Sequence, residues 1–174
     1  MNRLQQIIRE RILSQGRVTF AEFMEMALYY PGLGYYSSGQ TRVGDGGDFY
    51  TSPDAHPVFA ALIALQLEQI WQLLGSPSRF TVVEMGAGKG LLARDILDYL
   101  PHLSPAFAAS VSYVAKERET VSVLQGGKAL SGWPFKNVTG CFLSNELLDA
   151  FPVHRVVQKE GRLEEAYVTL QDDS

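Results

Sequence analysis

Hydrophobic and polar positions at the start of the chain predict two helices. Apolar residues recur every three or four positions over residues 3–14, which predicts an amphipathic helix that ends at Gly16. Thr19 and Glu22 have the spacing of a capping box, in which each side chain satisfies a backbone N–H of the other residue. A second helix is therefore expected from Thr19 to about Tyr29.

The middle of the chain alternates between short apolar segments and amphipathic ones. A largely buried helix is expected from Asp54 to Leu74, followed by an alternation that is typical of βαβ units with a parallel sheet. The predicted strands are Phe80–Glu84, Val111–Ala115 and Gly140–Ser144, the predicted helices are Leu91–Leu100, Glu119–Leu130 and Glu146–Phe151, and Pro101–Ser110 is expected to be a loop.

Two other segments have patterns of their own. Residues 31–53 are rich in glycine but also contain aromatic pairs, which favour an ordered binding loop over disorder. The tail predicts a β-hairpin of residues 153–158 and 163–170 around Glu160-Gly161. The expected organisation is helices and binding loop in 1–75, a Rossmann-like core in 76–152 and a hairpin in 153–174.

Composition narrows the class of protein. The chain has 174 residues, of which 46% are hydrophobic and 20% charged, as in an ordinary globular domain. Its net charge of −4 argues against a nucleic-acid partner held by phosphate contacts. No apolar run approaches the ~18 residues of a membrane span, and no metal is expected because His, Cys and carboxylates do not cluster.

Cys141 is the one cysteine of the chain, so an internal disulfide cannot form and a reducing compartment is expected. The N-terminal segment is amphipathic and carries arginines, as a mitochondrial presequence does, but Glu10 interrupts it and serine is scarce. We therefore expect a bacterial cytoplasmic protein, with the mitochondrial matrix as the alternative.

The segment Glu84-Met-Gly86-Ala87-Gly88-Lys-Gly90 joins a predicted strand to a predicted helix. Such a turn brings backbone N–H groups and a helix N-terminus beside a ligand. A phosphate-binding P-loop needs Ser or Thr after Gly-Lys, where this chain has Gly90, and the dinucleotide fingerprint needs a glycine where it has Leu91. A tight turn without a ligand is the structural alternative.

Glu117 follows the next predicted strand. An acidic residue at this place can accept hydrogen bonds from two ribose hydroxyls, one on each oxygen. It lies farther from Glu84 than the ~20 residues of a compact unit, because Pro101–Ser110 adds length. A solvated surface charge is the alternative role for Glu117.

Three segments together resemble one family. They are, in order along the chain, Gly47-Asp48-Phe-Tyr-Thr-Ser-Pro53, the Glu84 turn and Ser144-Asn145-Glu146-Leu-Leu-Asp149-Ala-Phe-Pro-Val-His154. Their order and spacing resemble those of the MidA-like class I methyltransferases. This family includes the mitochondrial protein-arginine methyltransferase of respiratory complex I assembly. The resemblance runs from about residue 7 to residue 170, and Ala87 departs from the proline common at its position.

The resemblance implies a Rossmann-like class I methyltransferase fold with an N-terminal helical extension, and S-adenosyl-L-methionine as cofactor. It implies that Glu84 lies near the methionine amino group, that Gly86 and Gly88 pass under the cofactor, and that Ala87 and Gly90 also belong to the cofactor site. It also implies that Gly47 and Asp48 belong to the cofactor and substrate cavity. A local turn made by the Asp48 side chain is the alternative.

Asn145, Glu146 and Asp149 are the candidate catalytic residues. Methyl transfer depends on positioning the nucleophile, and paired carboxylates hold a planar guanidinium well. Glu146 and Asp149 are three apart, so a helical turn would put both on one face, where they could orient an arginine acceptor on a protein substrate. Alternatively, Asn145 caps that turn and the acids stabilise its N-terminus.

No further βα unit follows Leu170, so we expect the N-terminal portion of a longer protein, an incomplete sheet and little activity in isolation. The expected function is methyl transfer to a protein arginine side chain. A cofactor-binding module without catalysis that acts in assembly remains open. A nucleotide-dependent oxidoreductase also remains, although Leu91 disfavours it. The oligomeric state is not predicted.

Overall fold

The computed structural model describes residues 1–39, 56–117, 121–126 and 138–171. The chain divides into two compact units. One unit consists of Met1–Phe49 together with Leu148–Ser174, and the other is the continuous stretch Tyr50–Leu147. The domain boundaries expected from the sequence, after residues 75 and 152, are not tested by this division and stay predictions.

The discontinuous unit begins with the two predicted helices. Helix α1 spans Arg3–Gln15 and ends at Gly16, and helix α2 spans Phe20–Tyr29. The predicted capping box is confirmed, since the Glu22 backbone N–H donates to Thr19 Oγ1 at 3.1 Å and the Thr19 N–H donates to Glu22 Oε2 at 2.9 Å. These bonds satisfy N–H groups that the first turn of a helix leaves open.

The same unit contains the predicted hairpin. Strands β6 (Val156–Lys159) and β7 (Arg162–Glu165) pair antiparallel around Glu160-Gly161. A short strand β8 (Tyr167–Val168) then pairs antiparallel with β1 (Val18–Thr19), which precedes α2. This second pairing joins distant parts of the chain and was not predicted.

The continuous unit is a sheet with helices. Its helices are α3 (Val58–Leu73), α4 (Leu91–Tyr99) and α5 (Pro105–Ser110). Its strands are β2 (Phe80–Met85), β3 (Val111–Lys116), β4 (Val121–Gln125) and β5 (Gly140–Ser144). Their order is β4-β3-β2-β5, and β2 pairs in parallel with both β3 and β5. The prediction of an α/β protein with a parallel sheet is confirmed.

The core of this unit lies between one face of the sheet and the helices. It contains Ala64, Leu67 and Trp71 from α3, Phe80 and Val82 from β2, Ala93 and Ile96 from α4, Phe107 from α5 and Tyr113 from β3. The side chains of Phe80, Val82, Ile96, Phe107 and Tyr113 are fully buried. This packing fixes β2 and β3, whose carboxyl ends carry Glu84 and Glu117.

A predicted helix and a predicted loop differ from the structure. The helix predicted over Glu119–Leu130 is wrong for Val121–Gln125, which form strand β4, antiparallel to β3. β-branched Val121 and Val123 favour an extended chain, and the edge of β3 provides a partner. The loop predicted over Pro101–Ser110 contains α5 and the end of a short 3₁₀ helix, Leu100–His102.

Helix α3 is less buried than predicted. Its buried residues form one stripe, Ala60, Ala64, Leu67 and Trp71, while Leu62 and Leu73 are 59% and 86% exposed. The stripe has the three- and four-residue spacing of one helical face. The apolar composition of α3 therefore overstated how much of it packs into the core.

Candidate functional site

Glu84 is a buried carboxylate near the carboxyl end of β2, only 3% exposed. The hydroxyl of Tyr113, on the neighbouring strand β3, donates to Glu84 Oε2 at 2.9 Å. Burial raises the pKa of Glu84, the Tyr113 hydrogen bond lowers it, and the charge of Glu117 raises it. A buried carboxylate under these conditions is stabilised in its charged form by any cation that comes close.

The turn after β2 has the conformation that the glycines predict. Gly86, Gly88 and Gly90 have φ values of 71°, 54° and 71°, in the left-handed region that side chains disfavour. The Gly86 N–H donates to the Lys116 carbonyl at 2.8 Å, and the Gly90 N–H donates to the Ala87 carbonyl at 2.8 Å. Gly90 then forms the N-terminal cap position of α4, so the turn ends at a helix N-terminus.

Glu117 meets this turn from the neighbouring strand. It follows β3 directly, and its Oε1 accepts a hydrogen bond from the Gly88 N–H. The parallel register pairs Glu84 with Ala115 and Met85 with Lys116, so Gly86 and Glu117 come next on adjacent strands. The structure thus brings two of the predicted site carboxylates and the glycine turn together at the carboxyl ends of β2 and β3.

Leu147 also belongs to this arrangement, although the sequence analysis did not single it out. A Cβ atom at Gly86 would lie 2.7 Å from Leu147 Cδ1, so the leucine side chain packs against the glycine itself. A side chain at position 86 would displace the end of Leu147, and the positive φ of Gly86 also disfavours one. It links the segment after β5 to the turn after β2.

The candidate catalytic segment has a different local structure from the one predicted. A 3₁₀ helix spans Leu148–Ala150, and Glu146 precedes it with a left-handed φ of 50°. The prediction of a helical turn from Glu146 that puts Glu146 and Asp149 on one face is therefore wrong. Among the described residues, the Asn145 side chain makes no hydrogen bond, and Glu146 and Asp149 are exposed.

Two of the predicted cavity residues, Gly47 and Asp48, lie outside the described residues, as does the rest of 40–55. Within the part of the chain that the structure describes, no helix is long and apolar enough to cross a membrane. The same residues contain no group of three or more His, Cys, Asp or Glu side chains that could hold a metal ion.

Comparison with known proteins identifies the family of the chain. Residues 62–174 match the family model of S-adenosyl-L-methionine-dependent methyltransferases. The chain belongs to this family. The predicted resemblance to MidA-like methyltransferases and the predicted class I methyltransferase fold are both confirmed by this match and by the relatives that follow.

Several relatives are similar to this chain over most of its length. It is 33% identical over 190 residues to the mitochondrial protein arginine methyltransferase NDUFAF7 homolog of Drosophila melanogaster, a match that covers 92% of this chain and 43% of the relative. It is 27% identical over 198 residues to the mitochondrial protein arginine methyltransferase NDUFAF7 of Danio rerio, covering 96% and 47%.

A solved structure agrees with these matches. This chain matches the crystal structure of a Burkholderia thailandensis protein bound to S-adenosyl-homocysteine with a TM-score of 0.69 and 29% sequence identity. The match covers 97% of this chain and 47% of the Burkholderia thailandensis chain. The chain thus spans about half the length of the relatives it matches.

The residues at the carboxyl ends of β2 and β3 fit the cofactor of this family. S-adenosyl-L-methionine carries an ammonium group, which suits the buried Glu84 carboxylate, and a ribose with two hydroxyls, which suits the oxygens of Glu117. A Cβ atom at Gly88 or Gly90 would meet nothing within 4 Å, so the turn is open on that side. A small-molecule cofactor can therefore approach the backbone there.

Proposed function

We propose that this chain binds S-adenosyl-L-methionine at the Glu84–Gly90 turn and supplies the cofactor-binding part of a protein-arginine methyltransferase. The observation that carries the proposal is the buried Glu84 carboxylate beside Glu117, with the three-glycine turn between them. The relatives named protein arginine methyltransferases support arginine as the acceptor. The cofactor, when bound, supplies an electrophilic methyl group on a sulfonium.

The residues of the chain hold the cofactor in this proposal. Glu84 accepts hydrogen bonds from the ammonium group, and the Tyr113 hydroxyl keeps its carboxylate in position. Glu117 accepts from the ribose hydroxyls while its Oε1 stays bound to the Gly88 N–H. Gly86, Ala87, Gly88 and Gly90 provide a backbone surface, and we assign Gly47 and Asp48 to the same cavity by resemblance alone.

Asn145, Glu146 and Asp149 are proposed to bind the acceptor. Asn145 and Glu146 directly follow β5, which pairs in parallel with β2, and ligands of open α/β sheets bind beyond the carboxyl ends of such strands. The left-handed conformation of Glu146 supports a functional role, because strained backbone at a non-glycine residue persists where the surroundings require it.

Calorimetric titration tests the cofactor site. S-adenosylhomocysteine is expected to bind, and NAD and ATP are not. Glu84→Gln and Glu117→Gln are each expected to weaken binding by about tenfold, since each removes a charge-assisted hydrogen bond. Glu10→Gln, a change on α1 in the other unit, is the matched control and keeps the wild-type affinity. Equal affinity for NAD would contradict the proposal and favour an oxidoreductase.

Methyl transfer tests the acceptor site. In a complete enzyme, Glu146→Gln and Asp149→Asn are expected to lower the rate of transfer from tritiated cofactor to an arginine-bearing protein. Unchanged transfer in both variants would exclude these residues from acceptor binding. Binding of S-adenosylhomocysteine without any transfer would identify a cofactor-binding module that has no catalytic activity.

The cellular setting is also a proposal. The curated relatives are named as mitochondrial proteins, and the solved relative comes from a bacterium. We propose the bacterial cytoplasm, with the mitochondrial matrix as the alternative, and a protein partner that takes part in respiratory complex I assembly. Localisation of a fluorescent fusion, followed by measurement of complex I in a deletion strain, tests both.

A further inference from the structure

An aromatic stack stands at the C-terminal end of α2. The Tyr29 and Tyr36 rings are stacked, with centroids 5.5 Å apart and planes inclined by 24°, and Tyr35 meets Tyr36 edge-on at 5.0 Å. Tyr36 is 47% exposed, so solvent reaches its ring although two other rings hold it in place. An exposed tyrosine that packs against two other rings is a surface suited to binding a ligand.

Backbone hydrogen bonds position this stack. The turn after α2 folds back onto the helix, with the Tyr35 N–H donating to the Ala27 carbonyl at 3.0 Å and the Tyr36 N–H donating to the Leu28 carbonyl at 2.8 Å. Gly34 is buried at the bend, and a Cβ there would lie 2.5 Å from the Tyr30 nitrogen. The close approach of the backbone requires glycine at this position.

A carboxylate lies near the stack. The Tyr29 hydroxyl donates to the Ala150 carbonyl at 2.7 Å, which ties α2 to the 3₁₀ helix Leu148–Ala150. Asp149 precedes Ala150 in that helix and is exposed. Burial raises the pKa of Tyr36, and the negative charge of Asp149 raises it further. All of these residues belong to the discontinuous unit.

The same unit already contains a guanidinium over a tyrosine ring. The guanidinium carbon of Arg17 lies 4.1 Å from the centroid of the Tyr167 ring, and the Tyr167 hydroxyl donates to Glu165 Oε2 at 3.3 Å. A tyrosine face thus contacts an arginine side chain within this chain. In the cation–ring contacts of the described residues, Tyr36 has no such partner.

We infer that the Tyr36 ring and the Asp149 carboxylate form a binding site for the guanidinium group of an arginine side chain. A guanidinium is planar and weakly hydrated, so it stacks on the ring while its edge donates to the carboxylate. The inference rests on the proposed function in that the arginine belongs to the protein substrate. It adds an aromatic surface to the acid, Asp149, that the sequence identified.

Nuclear magnetic resonance titration of the full chain tests the inference, with acetyl-arginine amide as the probe. We expect saturable shifts at the Tyr36 ring and the Asp149 amide, and none with acetyl-citrulline amide, which has the same shape but no charge. Tyr36→Leu and Asp149→Asn are each expected to weaken arginine binding about two- to fivefold, as for one exposed cation–ring contact or ion pair.

Tyr30→Leu is the matched control, because it removes a tyrosine from the same turn but not from the stack, and it should bind arginine as the wild type does. Tyr36→Phe keeps the ring and should also retain binding. Equal binding of citrulline, or equal affinity in Tyr36→Leu and Tyr30→Leu, overturns the inference. If Tyr36→Leu does not fold, unchanged affinity in Asp149→Asn overturns it.

The two proposals can fail independently. The arginine titration uses no cofactor, and the S-adenosylhomocysteine titration uses no acceptor. Cofactor binding without the arginine effect would reject the guanidinium site and leave the proposed cofactor site standing. An arginine effect without cofactor binding would reject the proposed methyltransferase function and leave a guanidinium-binding site that serves another purpose.

Discussion

Opposed influences act on the pKa of the buried Glu84 carboxylate. Burial and the nearby Glu117 raise its pKa, while the Tyr113 hydroxyl lowers it. Because burial is the larger influence, the folded protein holds a proton at Glu84 more tightly than the unfolded chain does. The contribution of Glu84 to stability therefore falls as pH rises from the unfolded value of 4.5 through the raised folded pKa.

The first prediction is that Glu84→Gln gains stability relative to the wild type as pH rises from about 4 to about 8, because the amide cannot ionise. Its oxygen can still accept from Tyr113. Melting temperatures of both proteins across this range provide the measurement.

Glu22 provides the control with the opposite sign. Its hydrogen bonds with the Thr19 backbone and side chain lower its pKa, so its stabilisation is present above pH 4.5 and is lost as pH falls through the lowered pKa. Glu22→Gln should therefore lose stability relative to the wild type as pH rises. A difference for Glu84→Gln that stays constant with pH would contradict the explanation by burial.

The second prediction concerns Tyr113. Tyr113→Phe removes the hydroxyl that donates to Glu84 and should lower the free energy of unfolding by about 1–3 kcal/mol, because a buried carboxylate loses a partner. It should also weaken S-adenosylhomocysteine binding. Tyr99→Phe, on α4, is the control and should change stability by less than about 0.5 kcal/mol. Urea unfolding measures both, and equal effects would reject the role of Tyr113.

The hydrogen bond between Tyr113 and Glu84 could not be predicted from the sequence. Glu84 and Glu117 could be predicted because each follows a recognisable strand. Tyr113 lies inside the apolar segment Val111–Lys116 and has the pattern of a core residue. Its hydroxyl needs a partner when buried, and this is a signal. The identity of that partner depends on the register between β2 and β3, which only the structure gives.

At the scale of elements, sequence patterns succeeded where local chemistry decides. The capping box located the start of α2, and the glycine turn located the boundary between β2 and α4. The failure at Val121–Gln125 came from a short apolar segment that fits a strand or a helix. Ser104-Pro105 did carry a helix-start signal for α5, since serine caps the helix and proline suits its first turn.

The β6–β7 hairpin carries the third prediction. Glu160 and Gly161 both have positive φ values, 49° and 78°, as a two-residue type I′ turn requires. Asparagine tolerates this conformation better than glutamate, so Glu160→Asn should slow amide hydrogen exchange in Val156–Lys159. Glu164→Asn, in strand β7, is the control for lost charge. Equal or faster exchange in Glu160→Asn than in this control would contradict the role of the turn.

At the scale of the whole molecule, the proposed cofactor should stabilise the fold by mass action. The fourth prediction is that S-adenosylhomocysteine at about 100 times its dissociation constant raises the free energy of unfolding by about 2.7 kcal/mol. Differential scanning calorimetry measures this, with Glu84→Gln at the same ligand concentration as the control. A melting temperature that does not depend on the ligand would contradict the cofactor site.

The division of the chain into two units also has a consequence for the order of folding. Val18 pairs with Val168, and the complete continuous unit lies between them in the sequence. A ribosome that adds about 5–20 residues per second needs about 8–30 seconds to make that interval. Tyr50–Leu147 can therefore acquire its structure first, while β1 waits for β8. During synthesis, α1 and α2 therefore spend this interval without the strand pairing that joins the two ends of their unit.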